Sequence, residues 1–269
     1  MSLAPFWGGV IAPVLAAVRA RRIVEIGADR GHLTARLLAF ARRHRAIVHV
    51  VDPEPAFDVR AWEHLHRGRL VCHRRPSLDA LPELGGCDAV LIDGDHNWYT
   101  VLGELRLLDA ASRAAARPFP VVLLHDVEWP YGRRDLYTEP RRIPPRYRRR
   151  WRRGGLHPTR PQVLRRGGLN ADLCHAVTED GPRNGVRTAV EDFMAGTRRR
   201  LRLLIVPGFH GLGVLVEHRT LARHPRLARL LAVWDLPPPV RDYVEFLERS
   251  RLGTLIGEEK AARTHAWEG

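Results

Sequence analysis

Two short stretches concentrate the side chains capable of chemistry. One reads Asp93-Gly94-Asp95-His96-Asn97-Trp98-Tyr99, the other His125-Asp126-Val127-Glu128-Trp129, and each directly follows a short apolar run. Asp93, His125 and Asp126 together offer oxygen and nitrogen donors to one divalent cation, Mg²⁺ or Mn²⁺, with coordination positions left open. His96 stands just past Asp93, and an imidazole near its ordinary pKa is suited to take a proton near neutral pH. Blander roles are open to the same residues. His96 can cap the helix that follows, and His125 with Asp126 can hold Arg133 and Arg134 without any cation.

These stretches act together only if the chain brings them to one place. Apolar or β-branched runs at residues 23–26, 47–51, 70–72, 89–92 and 121–124 alternate with amphipathic segments such as 33–41 and 101–114. Runs this short, separated by helices, predict a doubly wound α/β domain whose mostly parallel sheet is covered on both faces. Parallel strands release their carboxyl ends along one edge, so the two clusters converge there. After a helix near 185–195, residues 201–206 and 214–217 flank the Gly-rich PGFHGLG. That pattern predicts a hairpin, hence one antiparallel strand near the C-terminal end of a seven-stranded sheet.

The first strand ends in Glu25-Ile26-Gly27-Ala28-Asp29-Arg30-Gly31 and runs into a helix. Gly27 and Gly31 allow a sharp turn and close approach of a ligand to the backbone. Their spacing is not the G-x-G-x-x-G that cradles a pyrophosphate, so a nucleoside ligand without phosphates fits better. S-adenosylmethionine is such a ligand. Asp52, followed by Pro53, ends the second strand and is placed to accept from both ribose hydroxyls. Ser77, after the third strand, would sit near the adenine edge. The expected cofactor cradle is therefore Glu25, Gly27, Ala28, Gly31, Asp52, Pro53, Ser77 and Asp93.

Asp93 to Tyr99 is similar to the D-x-D-K-x-x-Y stretch of class I methyltransferases of the catechol, caffeoyl-CoA and macrolide-sugar O-methyltransferase group. His125 to Trp129 is similar to that group's D-N-V-x-W. The resemblance covers roughly residues 20–217. It implies a Rossmann-like fold, S-adenosylmethionine as methyl donor, Asp93 as a metal ligand, and His96 in place of the group's basic lysine. It also implies that His125 and Asp126 complete the metal site where the group has Asp and Asn. The expected activity is transfer of a methyl group to a hydroxyl of a small molecule, a sugar or other polyhydroxy natural product. A displacement of this kind gains most from alignment of oxygen, methyl and sulfur, and next from activation of the hydroxyl.

Residues 127–184 break the alternation and are rich in Pro, Gly, Arg and Tyr. A long connection after a strand's carboxyl end is expected to be a substrate lid on a domain spanning 1–218. By position alone, Trp129, Tyr131, Arg133 and Arg134 are its candidate substrate contacts. Residues 219–269 read as a helical extension broken at Pro237–Pro239, capping the domain or joining two copies of the chain.

The formal net charge is +14, and of 44 lysines and arginines only Lys260 is a lysine. The run RYRRRWRR at 146–153 resembles a nucleic-acid grip, but such uniform arginine usage is expected from coding bias, and nucleic acid is not the expected partner. An RNA methyltransferase is the first alternative, although the N/D-P-P-Y-type motif of N-methylating relatives is absent. A protein that binds the cofactor without turnover is the second. The three cysteines have no framework spacing, and the apolar amino terminus reads as a helix covering the sheet. No run reaches membrane-spanning length, and a reducing cytoplasm is the expected setting.

Overall fold

The computed structural model describes residues 3–265, with side chains described through residue 257. Five parallel strands form first: β1 Arg22–Ile26, β2 Ile47–Val51, β3 Leu70–His73, β4 Ala89–Ile92 and β5 Val121–His125. Helices α1 Ala12–Ala17, α2 His32–His44, α3 Val59–Leu65, α4 Ser77–Leu84 and α5 Trp98–Ala114 precede, separate or follow them. Five short strands lie in the 127–184 segment: β6 Leu136–Tyr137, β7 Trp151–Arg153, β8 Gly155–His157, β9 Arg160–Leu164 and β10 Cys174–Ala176. Helix α6 Val186–Gly196 leads to β11 Leu201–Val206 and β12 Leu212–Glu217, and α7 His218–Arg223, α8 Pro225–Val233 and α9 Pro238–His265 close the chain.

The main sheet has seven strands in the order β11-β12-β5-β4-β1-β2-β3. β12 runs antiparallel to both β5 and β11, while β1 to β5 pair in parallel. This is the doubly wound α/β architecture of class I methyltransferases. Successive strand residues face opposite layers, which is why the strands read as continuous apolar runs. Ile23, Leu91 and Leu123 join the core under α1 and α2, whereas Val24, Ile92 and Leu124 join the core under α4, α5 and α6. Each fully buried aliphatic side chain of this kind stabilises the fold by about 1.5–3 kcal/mol. The strand order reverses direction between β1 and β4, which places a crevice at their carboxyl ends.

The 127–184 segment, expected as a substrate lid, is a folded subdomain. β6, β10 and β7 make a three-stranded antiparallel sheet, and β8 and β9 make a hairpin. Strands this short gave no alternation to read in the sequence. Its cohesion comes from two small apolar clusters, one built on Tyr131, Leu136, Leu156 and Val163, the other on Tyr137, Ile143, Cys174 and Ala176. The fully buried Asp135 ties both ends to the main domain. Its Oδ1 accepts from the backbone N–H groups of Trp98 and Gly185, both at 2.7 Å, and its Oδ2 accepts from the Tyr137 hydroxyl at 2.8 Å. Buried carboxylates persist where their lone pairs are filled in this way.

Among the described residues no helix is long and apolar enough to cross a membrane. The amino-terminal segment does cover the sheet, through a 3₁₀ turn at Ala4–Phe6, a π turn at Trp7–Ile11 and α1. It also reaches the carboxyl edge, where the fully buried Leu3 donates its backbone N–H to Asp93 Oδ2 at 3.2 Å.

Candidate active site

The crevice at the switch point opens into a cavity of about 640 Å³. Gly27 follows β1 at its floor with φ +82°, and Asp52 and Pro53 follow β2 along one wall. The Asp52 carboxylate shapes the glycine turn: Oδ2 accepts from Ala28 N–H at 2.8 Å and Asp29 N–H at 3.1 Å. Oδ1 accepts from Glu54 N–H at 2.9 Å, so of about four acceptor sites roughly one stays open for a ribose hydroxyl. Ser77 lines the far wall, but its hydroxyl donates to Glu104 Oε1 at 2.6 Å.

Three residues of the expected cradle shape it from behind. Glu25 is buried beneath the turn and accepts the Thr34 hydroxyl at 2.7 Å. Burial raises its pKa to about 8, partly offset by that hydrogen bond, so the side chain is a protonated structural acid near neutral pH. Ala28 contributes its backbone N–H, and Gly31, at φ +76°, is the N-cap of α2 against Phe57 and Trp62. Sequence reasoning missed a further part of the wall. Thr138, Glu139, Arg142 and Ile143 of the subdomain face the cavity alongside Asp95 and Tyr99. Tyr99 in turn stacks on Tyr147, with ring centroids 5.1 Å apart. No spacing in the 127–184 segment signals that it folds back onto the cofactor side.

At the inner end of the cavity Asp93 meets His96, His125 and Asp126, whose potential ligand atoms all lie within 4.8 Å of one another. His96 Nε2 is 2.7 Å from Asp126 Oδ2 and 3.4 Å from Asp93 Oδ1. His125 Nδ1 is 3.0 Å from Asp93 Oδ1 and 3.3 Å from Asp126 Oδ2. Despite these approaches neither buried nitrogen makes an aligned hydrogen bond. Asp126 adopts a left-handed backbone, φ +58°, which asparagine and aspartate tolerate better than most residues. Burial disfavours an imidazolium here, but the charges and contacts of Asp126 and Asp93 prevail and raise His96 to about 10 and His125 well above its usual value. Burial likewise opposes charge on the carboxylates, and the two histidines outweigh it and hold Asp93 low and Asp126 very low.

The helix cap and the two arginines have other partners. Asn97, not His96, caps α5, its side chain accepting from Thr100 N–H at 2.9 Å. Arg133 pairs with Glu191 at 2.6 Å and Arg134 with Glu179 at 3.0 Å, so neither is held by His125 or Asp126.

The four expected substrate contacts separate. Trp129 and Arg133 line a second cavity of about 340 Å³, which begins at Val127 and is closed by Glu245, Glu248 and Leu252 of α9. Tyr131 is buried, its ring 5.7 Å from that of His96. Arg134 is a correction to the sequence reading. Only 1% exposed, it donates to the carbonyls of Ala176 and Pro161 and to Glu179, so it is a strut of the subdomain and cannot reach a substrate.

Residues 24–127 match the family described as a methyltransferase domain. This stretch, which runs from β1 to β5 and holds most of the lining of the cavity at the switch point, is similar to methyltransferase domains. The match spans the cofactor half and the tips of β4 and β5, leaving the subdomain and the C-terminal helices outside it. No curated protein matches the chain. Among solved structures, the SAH-bound methyltransferase PaMTH1 of Podospora anserina is 17% identical over 81% of this chain and 80% of its own, with a TM-score of 0.47. The 1,6-didemethyltoxoflavin-N1-methyltransferase of Burkholderia thailandensis, solved with 1,6-didemethyltoxoflavin and S-adenosylhomocysteine, is 17% identical over 79% and 80%, with a TM-score of 0.40.

Proposed function

We propose that the chain transfers the methyl group of S-adenosylmethionine to a hydroxyl of a small polyhydroxy acceptor, a sugar or a related natural product. One observation carries the reading. Asp93 belongs both to the wall of the cofactor cavity and to the Asp93–His96–His125–Asp126 cluster. A hydroxyl held at the cluster therefore lies next to the sulfonium methyl. In the displacement a C–O bond forms as the S–C bond breaks, sulfur loses its positive charge, and the hydroxyl proton leaves to solvent. Holding the three atoms in line supplies most of the acceleration.

The donor set fits a divalent cation. Two buried imidazole nitrogens without hydrogen-bond partners face two carboxylates. Held by Asp93, His125 and Asp126, such a cation would lower the pKa of a bound hydroxyl and fix its position. Trp129 and Arg133, in the neighbouring cavity, are placed to take a flat or anionic part of the acceptor. The basic run is engaged in part within the subdomain, with Arg146, Arg150 and Arg153 exposed. Arg148 donates to the Pro140 carbonyl and Arg153 to that of Asp172, both at 2.8 Å.

The test is a methyl-transfer assay with isotope-labelled S-adenosylmethionine against sugars, nucleotide sugars, phenols and mixed RNA. Labelled methyl ethers of a hydroxylated small molecule are expected, and they should vanish in Asp93→Asn. Label found only on nitrogen or on RNA would overturn the reading.

A further inference from the structure

We propose that His96 is a metal ligand and not a free base, and that this two-histidine, two-carboxylate centre takes a first-row transition ion in preference to Mg²⁺. The inference rests on the reading that the cluster holds a cation, and it concerns which residues and which ion.

The first support is the state of His125. Its Nε2 lies 3.0 Å from the carbonyl oxygen of Phe209. A carbonyl only accepts, so Nε2 carries the hydrogen, and in the neutral ring Nδ1 holds a lone pair. That lone pair faces Asp93 Oδ1 and Asp126 Oδ2. Nδ1 makes no aligned hydrogen bond with either oxygen, so the three atoms are arranged around a point where a cation can take the place of a proton. A backbone carbonyl fixing the outer nitrogen of a histidine is also how metal-bound imidazoles are oriented.

The second support is the direction of His96. A base serving the acceptor would present Nε2 to the cavity, yet this nitrogen faces the same two carboxylate oxygens as His125 does. It is buried and lacks an aligned partner. The ring is held in place by packing against Tyr131 and by the bond from Leu136 N–H to the His96 carbonyl at 3.0 Å. Donors around one ion at about 2.1 Å stand up to roughly 4.2 Å apart, so the four atoms surround a single ion after a small adjustment. Asp93 is fixed as well, since Leu3 N–H occupies Oδ2 and leaves Oδ1 for the centre.

The third support is chemical. Mg²⁺ demands oxygen ligands in octahedral geometry and retains several waters. Imidazole suits iron, cobalt, nickel and zinc, and mixed imidazole and carboxylate sets hold the manganese-to-zinc series. Two imidazoles among four donors place this centre in the second class.

The experiment uses the full chain, stripped of metal by a chelator and titrated calorimetrically with Co²⁺, Mn²⁺, Zn²⁺ and Mg²⁺, with visible absorption recorded for Co²⁺. One Co²⁺ per chain is expected, with absorption bands of nitrogen and oxygen coordination and an affinity at least about a hundredfold above that for Mg²⁺. His96→Ala is expected to lose at least about tenfold in Co²⁺ affinity and to alter the bands. His96→Asp, which restores a ligand, should recover part of the affinity. Mg²⁺ binding as tightly as Co²⁺, or His96→Ala with unchanged affinity and spectrum, would overturn the proposal. If a variant fails to fold, the ratio of Co²⁺ to Mg²⁺ affinity in the unaltered chain still decides. Failure of the methyl-transfer reading would look different, leaving the cobalt spectrum intact while no acceptor is labelled.

Discussion

A β-carbon built on Gly27 would lie 2.4 Å from the carbonyl oxygen of Asp93. The turn after β1 and the tip of β4 thus touch through backbone alone. Gly27→Ala adds a methyl group with nowhere to go, in a left-handed conformation that costs a further 1 kcal/mol or so. Calorimetry should show S-adenosylmethionine affinity reduced by at least about tenfold, with the melting temperature lowered. Wild-type affinity would show that the turn can shift away from β4.

Asp52 makes a more selective test of the cradle. Asp52→Asn keeps a side-chain oxygen for the Ala28 and Asp29 N–H groups, but it turns an amide toward Glu54 N–H and removes the charge that would hold the ribose. A charge-assisted hydrogen bond contributes about 1.5–3 kcal/mol, so cofactor affinity should fall roughly 10- to 150-fold, with a smaller loss of stability from the Glu54 contact. An equal loss of stability and affinity would mean that Asp52 serves the loop alone.

Neighbouring arginines of the subdomain should behave oppositely. Arg134→Met leaves two carbonyls and Glu179 without their buried donor, and should destabilise the fold by about 3 kcal/mol or more in denaturant unfolding. Arg133→Ala removes a half-buried pair with Glu191, should alter stability by less than about 1 kcal/mol, and should raise the KM of the acceptor.

Stability should depend on pH through Glu104. Burial raises its pKa to about 8 from an ordinary 4.5, against the lowering effect of the Ser77 hydroxyl. Between those values the folded chain binds the extra proton, so stability falls as pH rises through this window. Melting temperatures measured from pH 5 to pH 8.5 should decline, and Glu104→Gln should flatten that decline. A variant curve parallel to the wild type would exclude Glu104 as its source.

The sheet was legible because burial on both faces writes each strand as an uninterrupted apolar run, and residues 201–217 carried the hairpin through PGFHGLG. The Asp93 and His125 clusters were legible because parallel strands deliver their tips to one edge. The role of Glu25 was not, since an acid beside a glycine turn reads the same whether it faces a ligand or, as here, Thr34. Arg134 was misread for a related reason: sequence gives no measure of the carbonyls that buried donors such as this satisfy. The wall contributed by Thr138 to Ile143 was hidden because two-residue strands have no period, and their placement depends on Asp135 reaching Trp98 and Gly185 across the fold.

That buried aspartate also bears on how molecules enter and leave. A cover hinged at one end can swing aside, but this one is pinned at both ends by a single carboxylate, and any large rotation would strip several hydrogen bonds from a charge in the interior. Exchange of spent donor for fresh is then left to side chains and short turns of the cavity lining, and substitutions there, at Glu54 or Arg142 for example, should tune turnover more than any change at a hinge.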